Sequence, residues 1–326
     1  MIGQNPTNQV NYLLKLTDSI GLIEHCCLDK PNYIEGYCVD DNARAIQVCL
    51  RYQSQFPVLK NAFPLYYHFI KSAYKNKLLY NDLNLDNSWQ QIFERDGEHL
   101  GRSLAALGEI IKFEPSLSLD ATNLFNQLYR LINPKTSHHL RTFAQIILGL
   151  QYYQSENIKI WADLLVSHYK KNKINSWNWF EPQLSHDNGR LPLALLIAYQ
   201  ITHKSSYLKI ALESLDFLTK QTFNKETNCF VFPGNKKFFG QQPIEAGSMV
   251  ETYSLAFHLT RDRKYFQLSE NAFNWYYGQN VLGLSLVNSK TGGIYDGLEK
   301  DGVNLNQGAE SVLSYLLAFN SLKNLR

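Results

Sequence analysis

The chain has 326 residues, 44% hydrophobic and 13% aromatic, enough for a large buried core and incompatible with disorder, collagen or a coiled coil. Its 32 Lys+Arg against 29 Asp+Glu give a formal charge of +3, and the basic residues are scattered, which excludes a phosphate-tracking nucleic-acid surface. No apolar run approaches the ~20 residues of a membrane span, and the start MIGQNPTNQV lacks the basic and apolar regions of an export signal; the expectation is a soluble, cytoplasmic protein.

Along the chain the apolar residues recur at helical spacing, while alternating segments bounded by hairpin turns are scarce. Helical patterns run near 7–23, 42–54, 58–79, 101–113, 117–132, 140–153, 156–171, 189–203, 206–220, 245–260, 264–278 and 309–324. No linker or charge block divides them, so one domain over 1–326 is expected. Every second helix follows a short polar cluster and then turns apolar on most faces, as in AIQVCL, TFAQIILGLQYY and SVLSYLLAF, which suits burial. The others are amphipathic. Six buried helices inside six amphipathic ones describe an all-α (α/α)6 toroid, and the polar clusters would then gather around one funnel.

The five cysteines, Cys26, Cys27, Cys38, Cys49 and Cys229, are odd in number and form no C-x-x-C pair, so reduced thiols are expected and neither a disulfide framework nor a zinc site. No metal and no cofactor is predicted. A G-x-S-x-G elbow and H-E-x-x-H spacing are both absent from the sequence.

The clusters carry the chemistry. YIEGYCVDDNARAI places Asp40 and Asp41 ahead of Asn42 and Arg44; adjacent like charges raise one pKa, and Arg44 one turn on would hold the other carboxylate ionised, so that acid and base coexist. In WQQIFERDGEHLGR, Glu98 and Arg102 are four apart and share a helix face, with His99 beside them, and Glu94 and Asp96 read as solvated loop charges. His138 and His139 precede the next buried helix. SWNWFEPQLSHDNGR offers Trp177 and Trp179 as flat faces for a sugar ring, with Glu181, Asp187, Asn188 and Arg190 for its hydroxyls; core packing is the alternative for both indoles. The stretch from Phe232 to Tyr253 supplies Asn235, Gln241, Gln242, Glu245 and Glu251, the last inside a helix, where a lone buried carboxylate would be costly. The final cluster adds Tyr295, Asp296, Asn304, Asn306, Gln307 and Glu310. Helix capping also favours such residues at first turns, and that reading stands beside the catalytic one.

The strings GYCVDDNARAI, WFEPQLSHDNGRLPLALL, QQPIEAGSMVETY and GGIYDGL followed by VNLNQGAESVLSYLLA resemble a bacterial (α/α)6 domain of the six-hairpin glycosidase-like superfamily, of the type found with glycosyltransferases. The resemblance runs from Tyr37 to the C-terminus and implies the toroid fold, an oligosaccharide or polysaccharide ligand and a glycosyltransferase partner. Leu100 stands where it leads one to expect histidine. The function expected is glycoside hydrolysis, with Asp40 or Asp41 and one of Glu98, Asp187, Glu245 or Glu310 dividing acid and base work. Two alternatives remain open: a sugar epimerase or isomerase using His99, His139 or His186, and a non-catalytic glycan-binding scaffold.

Overall fold

The computed structural model describes residues 5–92, 94–223, 230 and 240–325; Cys229 and Asn235 lie outside them. Among the described residues twelve α-helices appear, one for each expected segment. They are α1 (Thr7–Lys15), α2 (Val39–Tyr52), α3 (Leu59–Ala73), α4 (Glu98–Phe113), α5 (Ser118–Tyr129), α6 (Leu140–Leu150), α7 (Ile158–Asn172), α8 (Arg190–Thr202), α9 (Ser205–Thr222), α10 (Pro243–Thr260), α11 (Arg263–Asn274) and α12 (Ala309–Lys323).

The even-numbered helices form a closed inner ring in which α2 packs on α4, α4 on α6, α6 on α8, α8 on α10, α10 on α12 and α12 back on α2. Each takes an odd-numbered helix on its outer side: α3 on α2, α5 on α4, α7 on α6, α9 on α8, α11 on α10 and α1 on α12. This is the (α/α)6 toroid. Burial follows the pattern read from the residues, since every residue of α6 is buried, whereas α5 buries only Ala121, Leu124, Phe125 and Leu128. Inner helices must also approach closely. A Cβ on Gly108 of α4 would lie 2.4 Å from the Gly149 carbonyl oxygen of α6, and one on Gly149 would lie 2.3 Å from that of Leu104, so glycine at both positions lets the two backbones touch.

Two helices end earlier than expected. α1 stops at Lys15 because the Asp18 side chain accepts from the backbone N–H of Ile20 and Gly21, closing a turn instead of a further helical turn. α3 stops at Ala73, where Asn76 and Lys77 take left-handed backbone angles of +53° and +59° and fold β4 (Tyr74–Lys75) back on β5 (Leu78–Leu79). Six short strands remain, β1 (Cys26–Cys27) with β2 (Lys30–Pro31), β3 (Tyr37–Cys38) with β6 (Asp82–Leu83), and β7 (Gly297–Glu299) with β8 (Gly302–Asn304), each pair antiparallel. Those of β3–β6 and β7–β8 lie at the helix-start end and raise the funnel wall. Cys26, Cys27, Cys38 and Cys49 are free thiols. Among the described residues no helix is long and apolar enough to cross a membrane.

Candidate active site

The first turns of α2, α4, α10 and α12, with the loop ahead of α8, surround a cavity of about 850 Å³. Of the residues expected at the site, Asp40, Asp41, Arg44, Glu98, His99, Arg102, Gln242, Asp296, Asn306 and Glu310 line it. None of the six inner helices takes a side-chain hydrogen bond from its N-cap residue, so capping does not account for the polar clusters.

Two arginines organise the wall. Arg44 donates to Asp41 at 2.5 Å and, across the ring, to Glu310 at 2.9 Å. Arg102 pairs with Glu98 one turn earlier at 2.5 Å, with Asp40 at 2.9 Å and with Asp187 at 3.7 Å. Both guanidinium groups are buried and each joins helices distant in sequence, so the carboxylates are held in fixed positions. Glu98 also meets His186 side chain to side chain.

Burial and charge divide these groups. Glu24 is pushed up to about 8, by burial first and then by Asp41, Asp82 and Asp40; the Cys38 thiol, donating to it, works the other way. Asp41 is pushed up to about 6 because burial, with Glu310 and Asp40, outweighs the Arg44 charge. The expected division therefore changes: Arg44 does not keep its partner's carboxyl in the ordinary range, because that carboxyl is almost wholly withdrawn from water. For Glu98, burial is outweighed by Arg102 and His186, which hold the carboxyl well below the usual range. His186 is raised by its bond to Glu98 against the effect of burial. Asp82 and Asp296 are raised, chiefly by burial.

Glu24, Asp82 and Glu299 line the cavity and were not among the expected residues. Glu24 precedes β1, and Asp82 lies in β6, paired with Cys38. No helical spacing links either to a cluster; the one available signal is that EHCC and YNDL are polar breaks between apolar runs. Glu24, Cys38 and Asp41 each bring one donor atom within 4.8 Å of the others, a set that could hold a metal ion, with Asp41 already bound to Arg44.

Asn304 and His186 line the cavity as well, whereas the other expected residues do not. Asn42 is buried and ties the helix start to the preceding chain, accepting from Leu22 N–H at 3.0 Å and donating to the Cys38 carbonyl at 2.8 Å. Asp187, in left-handed backbone, stands behind the wall, held by Arg190 at 3.2 Å. Arg190 in turn meets Glu251 at 2.7 Å, with Arg51 at 3.7 Å, which gives that buried helical carboxylate the partners it needs. Glu245 is buried, takes Asn188 Nδ2 at 3.3 Å, and is pushed up to about 7 by burial and by Asp187. Gln241 accepts from Trp275 at 2.7 Å, and Gln307 from Thr291 at 2.6 Å. Glu181 binds Arg141 at 2.5 Å, and His139 stands 3.6 Å from Asp96 and 3.8 Å from Glu94. Tyr295 is half-buried beside the final cluster. Trp179 is fully buried against Phe180 and Phe217, which is the core-packing alternative, and Trp177 lies on the outside of the toroid.

No protein-family model and no curated protein matches the sequence. Solved structures do match. Cellobiose 2-epimerase from Bacillus thermoamylovorans aligns over 95% of this chain and 97% of its own, at 13% identity and a TM-score of 0.74. A D-mannose isomerase aligns over 99% and 97%, at 10% identity and 0.75, and a family 76 α-mannanase of Bacteroides thetaiotaomicron over 99% and 97%, at 10% and 0.67. The chain has the six-hairpin glycosidase-like fold. At these identities the likeness is one of fold. The cavity carries carboxylates, the two guanidinium groups of Arg44 and Arg102 and, among the described residues, the imidazoles of His25, His99 and His186. His99 is buried, with Nε2 3.1 Å from the Leu79 carbonyl oxygen.

Proposed function

We propose that the chain is a carbohydrate-active enzyme, one toroid domain whose funnel cleaves a glycosidic bond by carboxylate acid and base catalysis. The observation that carries this reading is that two carboxyl groups on one cavity stand in opposite surroundings: burial beside Asp41, Asp82 and Asp40 pushes Glu24 up to about 8, while Arg102 and His186 hold Glu98 well below the usual range. Glycoside hydrolysis requires that pair: an acid to protonate the leaving oxygen, and a carboxylate to activate water or to face the positive charge developing on the sugar. Glu24 takes the first role, and Asp41 next to it keeps its proton in place by repulsion. Glu98 takes the second. Asn306 and Gln242 supply neutral groups for sugar hydroxyls.

A second reading is favoured by the contact between His186 and Glu98 and by the fold shared with an epimerase and an isomerase. There the imidazole moves a proton beside a sugar carbonyl, with the carboxylate orienting it.

Incubating the protein with a panel of oligosaccharides in deuterated water separates the readings by mass spectrometry. New reducing ends, reduced about 100-fold or more in Glu24→Gln, support hydrolysis. Deuterium in an uncleaved sugar supports the second reading, and binding without either product supports a non-catalytic glycan-binding scaffold serving a glycosyltransferase.

A further inference from the structure

Trp177 has the look of a sugar-binding residue in the sequence, yet it does not face the funnel. It borders a separate hollow of about 420 Å³ on the outer ring, between the loop after α7 and one face of α9, with no residue in common with the funnel cavity. We infer that this hollow is a second saccharide-binding site, taking a neutral stretch of glycan chain on the outside of the toroid. The inference shares with the funnel reading only the class of ligand.

The hollow is built as such a site is built. The Trp177 indole is fixed, since Nε1 donates to the Glu181 carbonyl oxygen at 2.8 Å and its ring meets Phe217 edge-on at 4.9 Å and 74°. A platform already immobilised loses little entropy when a sugar ring stacks on it. Around it α9 presents Glu213, Asp216, Phe217, Lys220 and Gln221, spaced to share one helix face. Both carboxylates are held from the outer side, Glu213 by Tyr169 and Lys173 at 2.9 Å and Asp216 by Tyr265 at 3.1 Å and Lys264 at 3.3 Å. Each therefore offers an oriented acceptor for sugar hydroxyls, and the Gln221 amide offers both donor and acceptor. One fixed aromatic face ringed by oriented polar groups recognises a pyranose, apolar on its C–H face and polar at its edge. Lys173 and Lys264 balance the two carboxylates and Lys220 stands beside them, so the hollow carries no large excess of negative charge.

The test is calorimetric titration of the full chain with cellohexaose, α-1,6-mannohexaose and chitohexaose, in wild type, Trp177→Ala, Trp177→Phe and Gln221→Ala. At least one hexasaccharide is expected to bind wild type with a dissociation constant on the order of 0.1–1 mM. Trp177→Ala should weaken that binding about tenfold and Gln221→Ala about threefold, while Trp177→Phe, which keeps a flat face, stays within about threefold. If Trp177→Ala does not fold, the Phe and Gln221 variants still decide. Binding unchanged in Trp177→Ala or in Gln221→Ala, or no binding of any hexasaccharide at about 10 mM, overturns the inference. The funnel reading is judged separately by cleavage products, so Trp177-dependent binding without cleavage sinks only the funnel reading.

Discussion

His186 and Glu98, 88 residues apart in the chain, meet side chain to side chain on the funnel wall. The contact sets an imidazole, whose pKa it raises, against a carboxylate that Arg102 already helps to hold ionised, so each group raises the other's tendency to stay charged. Replacing Glu98 by Gln removes the larger influence on the imidazole. Its titration, followed by NMR, is expected to move to lower pH in Glu98→Gln. An unchanged His186 titration would show that the pair is not formed in solution.

Stability should carry the mark of Glu24. Its carboxyl is raised from 4.5 to about 8 in the folded chain, so the folded state holds a proton that the unfolded chain has released. That favourable term is complete below about 4.5 and is lost as pH rises through about 8. Glu24→Gln should match wild type in melting temperature near pH 4 and exceed it near pH 9, by several kcal/mol of stability. Glu98 acts in the opposite sense, contributing stability above pH 4.5 that is lost as the pH falls through its depressed value. The same melting series on Glu98→Gln checks it, since the variant should lose its deficit at strongly acid pH.

The contact of α4 with α6 depends on Gly149. Alanine there sets its Cβ 2.3 Å from the Leu104 carbonyl oxygen, a backbone atom that cannot rotate away. Gly149→Ala is expected to destabilise by about 1–3 kcal/mol or more, seen as a lower denaturation midpoint. Alanine at Gly240, whose Cβ would meet nothing within 4 Å, costs only its strained backbone angle of +77°, about 1 kcal/mol. Equal losses would contradict the packing described.

Beneath the funnel, Glu251 stands between Arg190 and Arg51 on the ring axis. Glu251→Gln leaves buried guanidinium charge undercompensated and should cost about 3–5 kcal/mol. Pairing it with Arg190→Met should recover part of that loss, read by urea denaturation of the single and double variants. Full additivity would show that the two side chains do not interact.

Much of the fold is legible in the residues themselves. Helix period, the alternation of apolar and amphipathic helices, and the polar cluster before every second one imply the toroid, because burial of a helix on all faces or on one is written in its own composition. Pairs within one helix are equally local: Asp41 with Arg44 and Glu98 with Arg102 form as their spacing requires. The tryptophans were not separable in this way, since Trp177 and Trp179 share one loop and one pattern, yet one faces the hollow and the other the core.

What the chain's composition and periodicity determined by themselves is the ring of helices and the end at which its polar residues collect. Only the tertiary structure decided which of those residues face the cavity and in what protonation state. Glu24 and Asp82 reach it on strands with no helical register to the clusters, and Asp187 and Glu245 turn behind the wall. A carboxyl's pKa depends on the water it has lost and the charges packed around it, and both are set by contacts between segments far apart in sequence.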